Sequence, residues 1–207
     1  MSDIIRNAKT EKKKFVKSKF VDAAKSIIFK DGVGAVTVRG VAEMTGYSYA
    51  TIYHYFSDLN ELLLDAKLSM IDDMVKMSMK TPILSDNPMQ RMKDNMKIIV
   101  DFFIANPNIF RFFYFYEMDD RNRDTMIALN LEPNYFDGFI PFVKSGAIKE
   151  SEVPAASRTM LYTAFGLITI YLSNNGLTRE DVESDMNLVI ELILRGGNNE
   201  KQIKKEI

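Results

Sequence analysis

The sequence predicts an all-α protein, and three observations carry that prediction. Apolar residues recur at helical rather than alternating spacing along most of the 207-residue chain. Capping residues stand at the head of many of these runs, with glycine or proline near their ends. No pair of alternating runs joined by a hairpin turn occurs, and there is no repeat or low-complexity tract.

Taken in order, the first helix reads from Lys13 to Lys30, with Val16, Phe20, Ala23, Ala24, Ile27 and Ile28 at helical spacing among lysines. "KDGVGA" closes it, and Gly32 suits the positive-φ residue after a helix. Thr37 caps a short second helix to Met44; after the turn "TGYS", Ser48 caps a third that reaches about Phe56. Asp58 followed by Glu61 forms a capping box for a long fourth helix over Leu62, Leu63, Ala66 and Met70, which "TPILSDNP" interrupts. Later helices are expected from about Pro88 to Ala105, Pro107 to Met118, Tyr135 to Lys144, Pro154 to Leu172 and Thr178 to Leu194, the last opened by Thr178 with Asp181.

Composition narrows the functional classes. The chain is 46% hydrophobic with a net charge of -1, enough for a sizeable core, and has no cysteine for disulfides or thiolate metal sites. No apolar run resembles a signal peptide or approaches the ~20 residues of a membrane span, so a soluble cytoplasmic protein is expected. The near-neutral total hides an asymmetry. Residues 1–60 hold ten Lys/Arg against six Asp/Glu, and residues 61–207 hold 17 against 22. A basic head on an acidic body is the pattern of a DNA-reading module joined to a second domain.

The stretch "VAEMTGYSYATIYHYF" puts four tyrosines, the only histidine and Phe56 into a few turns. Two short helices joined by a tight glycine-containing turn behind a longer helix make a helix-turn-helix, whose second helix enters the major groove. Small residues Ser48, Ala50 and Thr51 allow close approach to DNA, while tyrosine hydroxyls and His54 can donate to phosphate oxygens. Ile52 and Phe56 are expected to face inward onto Phe20, Val38, Val41 and Ala42.

Residues Phe20 to Leu64 then resemble the DNA-binding domain of the TetR family of bacterial transcriptional regulators. The resemblance rests on Ala23, Ala24, Phe29 and Gly32 in the first helix, T-V-x-x-V-A from Thr37, G-x-S-x-x-x-x-Y-x-Y-F from Gly46, and the leucines of the fourth helix. It implies DNA contacts from Thr37, Val38, Arg39, Tyr47, Ser48, Tyr49, Ala50, Thr51, Tyr53 and His54. Thr37 would bind a phosphate at a helix N-terminus, and Arg39 would reach a phosphate or a guanine edge. Tyr55 reads as a packing residue. Two positions depart from the family pattern: Leu59 stands where a phosphate-binding lysine is usual, and Gly40 where an acidic residue is common. The basic tail, Lys9 to Lys19, would compensate by touching phosphates. The expected division is a DNA-binding domain over residues 1–57 and a helical effector-binding and dimerisation domain over residues 58–207.

In that second domain, "IFRFFYFY" (Ile109 to Tyr116) and a run of methionines could line an adaptable apolar cavity or simply fill a core. With the resemblance, a pocket for a mainly apolar effector is expected, lined by Met74, Met96, Phe102, Phe103, Phe113, Tyr116, Phe136, Phe139, Tyr162 and Phe165. Arg111, Glu117 and Asp120 could orient a polar end of the ligand. Two apolar faces on the last helices are expected to form a homodimer interface: Met160, Ala164, Leu167, Ile168 and Tyr171 on one, Val182, Met186, Val189, Ile190 and Ile193 on the other. No metal or cofactor is expected, and no catalytic constellation appears. The resulting expectation is a ligand-responsive, dimeric regulator on a palindromic operator, repressing by default; the alternative is a co-regulator whose second domain is switched by a protein partner.

Overall fold

The computed structural model describes residues 2–80, 85–119 and 136–195. Every regular element among them is helical: α1 (Ser2–Asp31), α2 (Val38–Thr45), α3 (Tyr49–Ile52), α4 (Leu59–Lys80), α5 (Pro88–Ala105), α6 (Pro107–Tyr114), α7 (Phe136–Lys144), α8 (Val153–Leu172) and α9 (Arg179–Arg195), with short 3₁₀ turns before α2 and α8. No helix among the described residues is long and apolar enough to cross a membrane.

The chain forms two compact units, Met1–Lys80 with Asn106–Arg123, and Thr81–Ala105 with Asp124–Ile207. In the first, α1 packs along α4, α2 and α6. Its core is Phe20, Ala24, Ile28, Val41, Ile52, Phe56, Leu62, Leu63 and Ala66, all essentially without solvent exposure. Each large side chain of this kind contributes ~1.5–3 kcal/mol through burial. Lys17 pairs with Asp65 at 2.6 Å, and Lys25 pairs with Asp73 and donates to Ser69 Oγ at 2.9 Å, tying α1 to α4. In this unit α4 and the sequence-distant α6 close the same core as the helix-turn-helix.

The second unit is built from α5, α7, α8 and α9. Met92, Met96, Val100 and Phe103 of α5, Phe139 and Phe142 of α7, and Met160, Ala164 and Ile168 of α8 supply its buried side chains, with Val182, Met186, Ile190 and Leu194 from α9. Lys93 with Glu191, Lys97 with Glu183 and Arg179 with Asp101 bridge α5 and α9. The reciprocal bonds at the head of α9 are those the sequence predicts: Thr178 N–H donates to Asp181 at 2.8 Å, and Asp181 N–H to the Thr178 hydroxyl at 3.2 Å.

Three boundaries differ from expectation. Helix α1 begins at Ser2, eleven residues before Lys13; α3 ends at Ile52, where residues 53–55 turn instead; and α6 ends at Tyr114.

Candidate nucleic-acid interface

The geometry of the helix-turn-helix follows from its caps. Thr37 Oγ1 accepts the Gly40 N–H at 3.0 Å and fixes the start of α2. A Cβ built on Gly40 would lie 3.1 Å from that oxygen, so the absence of a side chain there leaves the cap uncrowded. Gly46, at φ +72°, ends α2 in the left-handed conformation that glycine adopts without steric cost. Ser48 Oγ then accepts the Thr51 N–H at 3.1 Å, starting α3, and its hydroxyl lies 2.8 Å from that of Thr51.

From this frame the aromatic side chains divide into two sets. Phe20 meets Tyr47, Tyr55 and Phe56 edge-on, with ring centroids 5.2, 5.6 and 6.4 Å away, and Lys17 Nζ stands 4.9 Å over the Phe56 ring. Tyr47 and Tyr55 are half-buried and pack. Tyr49 and Tyr53 point to solvent, 64% and 51% exposed, with rings edge-on at 6.4 Å. Thr37, Arg39, Ser48, Ala50 and His54 are also exposed, while Val38 and Thr51 are half-buried. Of the ten residues expected at DNA, seven are therefore exposed, and Tyr47 is held against the core. Arg39 Nε donates to Glu43 at 3.0 Å, an exposed pair one helical turn apart that a phosphate can displace at little cost.

At the head of α4, Asp58 accepts the Glu61 N–H at 2.9 Å, and the Glu61 carboxylate reaches back to accept the Ser57 N–H at 2.6 Å. That bond holds the Glu61 carboxyl below its usual pKa. Leu59 is half-buried beside this cap.

The first unit also contains a residue that the sequence reading passed over. Lys67, on the apolar stripe of α4 with Leu63, Ala66 and Met70, is only 3% exposed. Its Nζ donates to the Phe113 carbonyl at 2.9 Å, near the open C-terminal end of α6, and lies 5.8 and 5.4 Å from the Phe112 and Phe113 ring centroids. Burial lowers its pKa from 10.5 to about 8. Its register gave the signal, since a lysine four residues after a core leucine faces the core. Asn108 fixes the other end of α6, donating to the carbonyls of Phe29 and Lys30 at 3.2 and 3.1 Å.

The residues expected around an effector are distributed over both units. Met74, Phe113 and Tyr116 belong to the first, and Met96, Phe102, Phe103, Phe139 and Phe165 to the second. Within the second, Met96, Phe103 and Phe139 are buried on α5 and α7, which pack together, and the Phe102 and Phe103 rings meet at 5.3 Å. Tyr162 is 58% exposed and does not line a core. Phe136 opens α7, but its side chain lies outside the described residues, as does Asp120; Arg111 and Glu117 are exposed.

Met160, Ala164, Leu167, Ile168, Val182, Met186 and Ile190 are buried in the second unit's own core, and Tyr171, Val189 and Ile193 are half-buried. The unit uses the most apolar side of each helix internally. Two residues further on, roughly 200° around the helix, stand the exposed Tyr162, Ile170, Leu188 and Leu192.

Residues 20–66 match the family model of the bacterial regulatory proteins of the tetR family. Solved structures share the fold across almost the whole chain. RolR in complex with resorcinol is 16% identical with a TM-score of 0.68, over 90% of this chain and 89% of that one. A TetR transcriptional regulator from Rhodococcus sp. RHA1 is 17% identical with a TM-score of 0.62, over 86% and 93%. PfmR, a TetR family transcriptional regulator from Thermus thermophilus, is 22% identical with a TM-score of 0.56, over 85% and 97%. No curated protein matches the chain significantly by sequence.

Proposed function

We propose that the chain, whose residues 20–66 match the family model of the tetR regulators, is a transcriptional regulator that acts as a homodimer and holds a palindromic operator until a mainly apolar small molecule displaces it. The observation that carries this reading is the outward face Thr37, Arg39, Ser48, Tyr49, Ala50, Tyr53 and His54, presented by two capped helices on a closed core. Helix α3 lies in the major groove, and the N-terminus of α2 with Thr37 takes a flanking phosphate.

Dimerisation supplies the two-fold symmetry of the operator. The strip formed by Tyr162 and Ile170 of α8 with Leu188 and Leu192 of α9 meets its own copy across the axis; Gly166, midway between Tyr162 and Ile170, has open space where a Cβ would stand.

The effector lodges among the methionines and aromatic side chains of α5, α7 and α8, where thioethers adapt to a guest. That a protein of similar fold binds resorcinol supports a small aromatic ligand. Helix α5 ends at Ala105 and α6 begins at Pro107, so the chain itself links the effector-holding helix to α6. Asn108 and Lys67 bolt α6 to α1 and α4, and the reader moves with them. The ligand acts only through its different affinities for the two arrangements.

A footprint of the purified protein on DNA upstream of its own gene, repeated over a salt series, tests the reading. The expected result is a protected palindrome whose affinity falls steeply with salt. No protection at low salt would refute it and bring forward the co-regulator switched by a protein partner.

A further inference from the structure

We propose that the operator half-site is rich in A·T pairs and that α3 reads it through the C5-methyl groups of thymine, not through paired hydrogen bonds to guanine or adenine. The inference rests on α3 lying in the major groove, as above, and adds what it recognises there.

From Gly46 to Phe56 the sequence contains no Arg, Lys, Asn, Gln, Asp or Glu. Those side chains make the discriminating contacts to guanine, adenine and cytosine edges. The short hydroxyls available instead are partly engaged: Ser48 Oγ accepts the Thr51 N–H, and one of the two hydroxyls donates to the other across 2.8 Å, which leaves a single unforked donor between them. Apart from His54, which is exposed in the turn after α3 and suits a flanking phosphate, what faces outward is chiefly carbon. The Ala50 methyl is exposed, and the Tyr49 and Tyr53 rings stand edge-on to each other, both more than half exposed. A tyrosine hydroxyl offers one donor and no fork, and at the tip of a long ring it suits a phosphate better than a base edge.

An apolar, rigid reading surface discriminates only where DNA offers an apolar group. In the major groove that group is the thymine methyl, absent from cytosine and from both purines. Arg39 is the only Lys or Arg from Asp31 to Ala66; it sits on α2 in a pair with Glu43. Guanine recognition by the helix-turn-helix would therefore be confined to a flank.

The test selects half-sites from a random duplex library with the full chain, then rebuilds the best duplex with deoxyuridine in place of thymidine. That exchange removes methyl groups from the DNA and leaves the protein untouched. Affinity should fall about fourfold for each contacted methyl, and more than about tenfold for a half-site with two or three. Restoring a methyl with 5-methylcytosine at a contacted cytosine should tighten binding. An Ala50→Gly variant should narrow the gap between the thymidine and deoxyuridine duplexes. Selected half-sites with an invariant central guanine, or a deoxyuridine duplex bound within about twofold of its parent, would overturn the proposal and leave the operator-binding reading standing. Failure to bind any duplex at low salt would overturn both.

Discussion

Replacing Lys67 with methionine tests the account of the first unit directly, because it removes a buried charge while roughly keeping side-chain volume. The ammonium is 3% exposed, its hydrogen-bond partner is the Phe113 carbonyl, and burial alone lowers its pKa from 10.5 to about 8. The unfolded chain keeps its proton up to pH ~10.5, whereas the folded chain releases it near 8, so between those values the unfolded state binds more protons. Stability from this group therefore rises with pH through that window, and below pH ~8 the penalty is felt in full. At ~1.4 kcal/mol per pH unit the gap corresponds to ~3 kcal/mol. Methionine escapes that cost but forfeits the bond to Phe113 and the contact with two rings, together worth ~1–2 kcal/mol. Lys67→Met should then be ~1–2 kcal/mol more stable than the parent at pH 7, raising the thermal midpoint by a few degrees at equal protein concentration. The assay is urea unfolding of both proteins from pH 7 to 10.5, in which the advantage should shrink as pH rises. A variant less stable at pH 7, or a difference that does not change with pH, would refute the claim that Lys67 is a desolvated cation. If α6 relays the effector, the same variant should bind operator normally yet respond less to ligand.

Two further outcomes follow from local geometry. Gly46→Ala forces a Cβ onto φ +72° with open space around it, so the loss should be purely conformational, about 1 kcal/mol by chemical unfolding, with operator affinity falling further because α3 is re-aimed. Leu188→Asp with Leu192→Asp places charge on the exposed strip of α9; light scattering should show a monomer with unchanged helicity, whereas a surviving dimer would send the interface elsewhere.

The legible parts of the sequence were those where local chemistry and final packing agree. Thr37, Ser48, Asp58 and Thr178 all receive the backbone N–H three residues on, because a cap is a local bond that needs no distant partner. Phe20, Ile52 and Phe56 are buried as periodicity implies. The start of α1 was hidden because its described side chains before Val16 are exposed, so no apolar period marks them. The end of α3 was hidden because Tyr53 to Tyr55 fit a helix by composition, while burying Phe56 needs a turn. On α8 and α9 spacing marked one apolar face each, but whether a single copy consumes that face is a tertiary decision that spacing cannot reveal. Lys67 shows the reverse case: its register four residues after Leu63 points inward, while a charged side chain carries no apolar signal that would mark it as core.

The reader's lack of charge has a consequence for how affinity and specificity are divided. Phosphate attraction must come from outside α3, and the residues placed to supply it are Thr37, Arg39 and the lysines of α1, where Lys12, Lys13 and Lys14 are exposed on a helix that runs on beyond the core. Residues 2–15 rise ~21 Å at ~1.5 Å per residue, enough to follow several base pairs of flanking backbone. If so, the two functions separate by residue. Changing Lys12, Lys13 and Lys14 to alanine should weaken operator and random DNA alike and reduce the slope of log affinity against log salt by up to ~0.9 per phosphate lost, or ~3 in all. Tyr49→Ala should instead erode the preference for operator over random DNA while leaving the slope nearly unchanged. The measurement is fluorescence anisotropy of both variants on both duplexes across a salt series. A lysine variant with an unaltered slope would remove α1 from the interface, and a Tyr49 variant that loses slope but keeps preference would move that ring from base reading to the backbone.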